Sequence, residues 1–221
     1  MAVAVKDTGT AVYNTTAVTQ TYTFTVSSGA TLAVFFIVQD VTQSITSVTW
    51  DSGGTNQACT LIGSKSDPTA SLGAVYLYGR INPTVGTNKT LSVVNGVTTG
   101  ESAEMQSYSG TVTSSVAAAC TNVLTANGTT AGTQSVGTAA QSGANGDYYI
   151  SGYMTPGGIS ALSNITIYNL SPAGNDAAGN GVASTGTSIS LTATIPTSTW
   201  AAVSCDIVAG SSDVLQAQIW L

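Results

Sequence analysis

The sequence contains no histidine and little charge of either sign, and each shortage excludes something. Charged residues make up 6% of the 221 residues, against about 25% in an ordinary globular chain. The four basic residues, Lys6, Lys65, Arg80 and Lys89, are scattered, and the formal net charge is −6. A nucleic-acid surface needs a basic footprint that neutralises phosphates, so no nucleic-acid partner is expected. Histidine is the most frequent general acid–base group. Without it, and without a Cys-x-x-Cys pair, the usual catalytic bases and zinc ligand sets are missing, and no cofactor is expected. The cysteines, Cys59, Cys120 and Cys205, are odd in number and widely spaced. That excludes a fully paired disulfide framework within one chain and leaves free thiols or bonds between chains. The most apolar run, Thr31–Gln39, falls well short of the roughly 20 residues that cross a bilayer, so no membrane partner is expected. The opening, MAVAVKDTGT, has neither the basic nor the apolar region of a signal peptide, which points to synthesis in the cytoplasm.

What the sequence does have is apolar content, 43%, carried on Thr-, Ser-, Asn- and Gly-rich segments. Such a composition suits strands and turns better than helices. The run TLAVFFIVQ is apolar on both alternating faces: Leu32, Val34, Phe36 and Val38 on one, Ala33, Phe35 and Ile37 on the other. A strand of this kind needs cover on both sides. A buried helix segment is the competing reading, and the β-branched and aromatic content and the preceding Gly29 favour a strand.

Around this run the alternation predicts further short strands. Val18, Tyr22, Phe24 and Val26 alternate with Thr21, Thr23 and Thr25, which predicts a half-buried strand with its apolar side chains inward and Thr outward. Further strands are expected at Ile45–Trp50, Cys59–Ile62, Leu72–Ile81, Thr90–Val94, Ala103–Tyr108, near Thr133–Gly137, Asp147–Met154, Asn164–Leu170, Ser188–Ile195, Trp200–Val208 and Val214–Leu221. Asn145-Gly146 is a strong hairpin-turn signal, and Ala173–Gly181 reads as a loop. No stretch of ten or more residues carries a 3.6-residue period. About ten to twelve short strands at this spacing predict an all-β chain, a jelly-roll-like two-sheet antiparallel β-sandwich. Residues 1–16 read as an arm or edge strand, 17–210 as one sandwich domain, and 211–221 as a docking strand.

Several residues invite a chemical reading. Cys205 lies in an alternating apolar pattern and reads as a small core residue. Glu101 and Glu104 are the carboxylates closest in sequence that could act as a glycosidase pair, but an odd spacing puts them on opposite faces of a strand. Asn175, Asp176 and Asn180 offer oxygen ligands in a glycine-rich stretch, with too little charge for a divalent ion. Asp51 and Asp147 read as turn residues. Trp50, Tyr76, Tyr78, Tyr148, Tyr149, Tyr153 and Trp220 are the aromatics a glycan-binding face would draw on, although the core needs their bulk. The weakly charged surface, with strand-like segments at both ends, points to assembly through open edges, and so to a homo-oligomer. Val3, Val5, Leu215, Ile219, Trp220 and Leu221 are the expected assembly contacts, with Cys59, Cys120 and Cys205 as free or intermolecular thiols.

From about Ala17 to Gly210 the order of segments is TYTFTVSSGATLAVFFIV, ITSVTW, AVYLYGRINPTVGTNKTLSVV, MQSYSGTV, GDYYISGYMTP and WAAVSCDIV. This order resembles a family of jelly-roll β-sandwich domains encoded by bacteriophages and prophages. The strongest matches are Tyr78–Pro83 with Gly86, and the Tyr108-Ser109-Gly110 corner. The resemblance implies a virion component without catalytic residues: a capsid decoration protein, or a tail or fibre module, whose partners are further copies of itself and a major capsid or tail protein. Residues 211–221 continue past the family's usual last strand. Related sandwiches occur on bacterial surface proteins, so a carbohydrate-binding adhesion module is the alternative.

Overall fold

The computed structural model describes residues 2–69, 73–135, 141–142, 147–155, 161–163, 166–170, 176–182, 188–189, 192–195 and 199–210. Its strands are β1 (Ala4–Val26), β2 (Leu32–Gln39), β3 (Ile45–Trp50), β4 (Gln57–Ala58), β5 (Thr60–Ser66), β6 (Ala74–Ile81), β7 (Gly86–Ser109), β8 (Cys120–Gly128) and β9 (Gly132–Ser135). They continue as β10 (Gln141–Ser142), β11 (Tyr148–Met154), β12 (Ala161–Ser163), β13 (Thr166–Leu170), β14 (Asp176–Val182), β15 (Ser188–Ile189), β16 (Thr192–Ile195) and β17 (Trp200–Ile207). One four-residue helix, α1 (Val116–Ala119), is capped by the Ser115 hydroxyl, which accepts from the Ala118 N–H. Every strand pairing among the described residues is antiparallel, and the fold is an all-β sandwich.

The frame is a long ribbon. β1 and β7 pair along their whole lengths, from Ala4 opposite Ser109 to Val26 opposite Gly86. The register jumps between Ala17–Thr99 and Thr19–Val94, which sets the four β7 residues Asn95–Thr98 against Val18 alone. An insertion of this kind bends a strand pair. Here it divides the ribbon into two legs. The first half of β7 pairs with β3 on its other edge, and the second half pairs with β2. The sheet continues from β2 to β6 and β5, and from β3 to β4. The expected separate strands at Thr90–Val94 and Ala103–Tyr108 are therefore two legs of one strand. The arm at residues 1–16 likewise runs on into the strand carrying Tyr22, Phe24 and Val26, while Val18, expected inward with them, is exposed because it sits at the register jump between Ala17 and Thr19.

The legs enclose one core. Tyr22, Phe24, Val48, Trp50, Leu91 and Val93 meet Ala33, Phe35, Ile37, Ala103 and Met105 there. The Phe35 and Trp50 rings lie 5.5 Å apart, centre to centre. The opposite face of β2 and β6, with Val34, Phe36, Val38, Val75 and Leu77, packs on Ile150, Met154, Ala201, Val203, Cys205 and Ile207. Those residues belong to a second sheet, ordered β13-β14-β11-β17-β8. Its far face carries Tyr149, Tyr153, Trp200 and Ala202, which pack with Ala193 and Ile195 of a third sheet, β12-β16-β9. All eight residues of β2 are buried because a core lies on each side of it.

The 173–181 segment is not wholly a loop: Asp176–Val182 forms β14, paired with β11 on one side and β13 on the other. Small Gly and Ala side chains hide the hydrophobic alternation there, and backbone pairing forms the strand without it. The Asn145-Gly146 turn lies outside the described residues.

Candidate functional site

β1 hydrogen-bonds to β7 along one edge, and among the described residues no strand pairs with its other edge. Between its two legs runs a groove of about 450 Å³, lined by Asp7, Thr8, Gly9 and Val12 on one side and Thr23, Phe24, Thr25 and Asn88 on the other. A register shift between Val5 and Asp7 sets which residues reach it. Val3 and Val5 turn towards the core between the two main sheets, while Gly9 lies over Phe24. A Cβ on Gly9 would sit 2.4 Å from Phe24 Cδ1, so the legs approach this closely only because residue 9 has no side chain.

Polar clasps hold the legs. Asp7 accepts from the Ser27 N–H at 2.8 Å, the Ser27 hydroxyl at 2.5 Å and the Ser107 hydroxyl at 2.5 Å. Burial pushes the Asp7 pKa up, but the hydrogen bonds from Ser107 and Ser27, with Lys6 nearby, outweigh it and hold the carboxyl below its ordinary value. Near the bend, Asn14 Nδ2 donates to the Thr21 carbonyl at 3.0 Å and Tyr13 donates to Asp40 Oδ2 at 2.5 Å. The bond to Asp40 raises the Tyr13 pKa.

Inside the bend lies a buried polar knot. Glu101 accepts from Tyr22 Oη at 2.9 Å and Gln39 Nε2 at 3.4 Å, and Gln39 Nε2 also donates to Asn95 Oδ1 at 2.8 Å. Burial lifts the Glu101 pKa to about 7 despite these bonds. Glu104 is also buried, and strand alternation puts it on the other face, as the spacing predicts. A second buried acid, Asp206, sits on the far face of β17. Asn122 Nδ2 donates to its Oδ2 at 2.5 Å, while Oδ1 has no hydrogen-bond partner among the described residues. Burial, with Asp147 nearby, lifts its pKa to about 6. Sequence reasoning missed both buried acids as interior groups. Their polar neighbours come from distant strands, and no local pattern announces them.

Among the remaining candidates, Val3 is buried and Val5 is half-buried, both packed against the chain's own core. Leu215, Ile219, Trp220 and Leu221 lie outside the described residues. All three cysteines are free. Cys120 and Cys205 are buried in the core between the two main sheets, Cys205 as its apolar pattern predicts. Cys59 is half-buried, and burial pushes its thiol up to about 12, so it stays protonated at neutral pH. Trp50, Tyr78, Tyr149 and Tyr153 are interior, and Tyr76 and Tyr148 are half-buried. Trp220 and Asn175 lie outside the described residues, and Asp176 and Asn180 belong to β14.

Asp51 is a turn residue, as expected. Its carboxylate accepts from the Thr55 N–H at 3.0 Å and pairs with Lys89 Nζ at 3.1 Å. Asp147, just before β11, accepts from the Ala209 N–H at 2.7 Å, just past the end of the neighbouring strand β17. Among the described residues, no group of three or more Cys, Asp or Glu side chains could hold a metal ion, and no helix is long and apolar enough to cross a membrane.

In comparisons with known proteins, no family model matches the chain, and no curated protein or solved structure matches it either.

Proposed function

We propose that this chain is a non-enzymatic structural protein of a bacteriophage particle, specifically a capsid decoration protein that stabilises the head through contacts with copies of itself and with the major capsid protein. The observation that carries this reading is the β1 edge: a strand of 23 residues, paired along one side among the described residues. A long unpaired edge is a ready template for a strand from another chain. The exposed large apolar side chains among the described residues support the same reading. They are aliphatic, namely Val12, Val18, Val41, Leu61, Val85, Val97 and Val123, and suit dry packing more than sugar stacking. The interior placement of Trp50, Tyr78, Tyr149 and Tyr153 weighs against a glycan-binding module.

The test is sedimentation of the natively produced protein from its source culture. Migration with particles of virion size, and weaker particles when the chain is deleted, is the expected result. A small species that stays at the top of the gradient overturns the assembly reading.

A further inference from the structure

We propose that Cys120 and Cys205 are a redox pair, closed by hydrogen peroxide that enters a small cavity beside Cys120, and that the disulfide so formed ties β8 to β17. The register brings the two residues together. β8 and β17 are neighbours, and Ile207 stands directly opposite Cys120. Cys205 lies two positions from Ile207, so it shares that face and is the diagonal neighbour of Cys120. A diagonal pair in a regular ladder stands about 7–8 Å apart, beyond the reach of a disulfide, which needs about 4.4–6.8 Å between Cα atoms. This ladder is not regular. It sets Asn122 and Val123 against Cys205 alone, and Asn122 takes a left-handed φ of 48°. A bulge of this kind tightens the local twist. Both cysteines lie in the core between the two main sheets, and their thiols share a hydrogen bond there.

The way in is a cavity of about 120 Å³, lined by Leu61, Ile62, Val116, Ala117, Cys120 and Val123, with the exposed Leu61 and Val123 at its rim. A water molecule occupies about 30 Å³, so hydrogen peroxide fits there and a tripeptide disulfide does not. Cys205 has no exposed surface, so the oxidant meets Cys120 first. Burial, and then the Cys120 thiol beside it, push the Cys205 thiol well above its ordinary pKa, so Cys205 acts second. In the first step the Cys120 thiolate attacks one oxygen of the peroxide. The O–O bond breaks, Cys120 becomes the sulfenic acid, and the hydroxide released takes up the proton that Cys120 lost. Cys205 Sγ then attacks Cys120 Sγ. The S–S bond forms, the S–OH bond breaks, and the Cys205 proton leaves with that hydroxyl as water. Two thiols and one peroxide thus give one disulfide and two waters. Cys59 packs against the other core, inside the bent ribbon, and stays out of the reaction.

Treatment of the folded, reduced full chain with hydrogen peroxide tests this, with free thiols counted after unfolding and linkages mapped by peptide mass. The three free thiols should fall to one, with the Cys120 and Cys205 peptides joined and no bond between copies. Dithiothreitol should restore all three. The oxidised chain should unfold at a midpoint about 5 °C or more above the reduced one. Cys59→Ser should form the same bond. Oxidised glutathione should act on the folded chain at least about tenfold more slowly than peroxide, and an equal rate overturns the cavity as the way in. Three thiols left free, a bond through Cys59, or Cys120 carried on to sulfinic acid with Cys205 still free overturns the pair. The particle reading is judged separately, by sedimentation, and can fail or stand whatever these thiols do.

Discussion

β2 and β17 are both eight residues long and buried at every position, yet they look nothing alike in sequence. β2 reads LAVFFIVQ and is apolar up to its last residue, so its burial on both faces is legible in the residues themselves. β17 reads WAAVSCDI and carries Ser204 and Asp206, each with no exposed surface. Its inward face, Val203, Cys205 and Ile207, joins the core shared with β2, while Trp200 and Ala202 on its other face lie under Ala193 and Ile195. Hydrophobicity reports burial only where the buried side chain is itself apolar. A polar residue can be equally interior when distant strands cover it, at the desolvation cost of a charged form.

The comparison breaks hardest on β2. Phe36→Ala should cost about 3–5 kcal/mol, because it opens a cavity between the two main sheets. Chemical denaturation measures it, and a loss below about 1 kcal/mol would mean the sheets do not pack there. Gly152→Ala comes next. Its Cβ would fall 2.3 Å from Phe36 Cδ1, so a loss of about 1–3 kcal/mol is expected, partly restored by adding Phe36→Leu.

On β17 the expected effect is a pH dependence. The folded pKa of Asp206 is raised from 3.8 to about 6, so the folded state holds the proton more tightly than the unfolded one. Its contribution favours the folded state at low pH and fades as pH rises towards about 6. Glu101, raised from 4.5 to about 7, acts in the same direction over a higher window. Asp206→Asn should flatten the lower part of this profile and Glu101→Gln the upper part, as read by thermal unfolding between about pH 4 and pH 8. A parallel profile in both variants would refute the assignment. The smallest effect is expected at the exposed Val18, where Val18→Thr should shift stability by no more than about 0.5 kcal/mol.

Sequence alone determined the all-β class, the central position of β2 and the core roles of Tyr22, Phe24, Val26, Val203 and Cys205, because side-chain alternation is local and repeats every two residues. It also separated Glu101 from Glu104 by face. Tertiary structure decided the rest. Two predicted strands became one bent β7 because its two halves find different partners, β3 and β2. Val3 and Val5 went inward because a register shift lies just beyond them, and a shift of one residue reverses every face. β14 formed from glycine and alanine because pairing between backbones does not need apolar side chains. The buried acids took their places through Tyr22, Gln39 and Asn95 around Glu101, and Asn122 beside Asp206. Tyr22 is 79 positions and Asn122 84 positions away along the chain from the acids they meet. Contacts at that separation leave no local pattern, and only the folded chain brings them together.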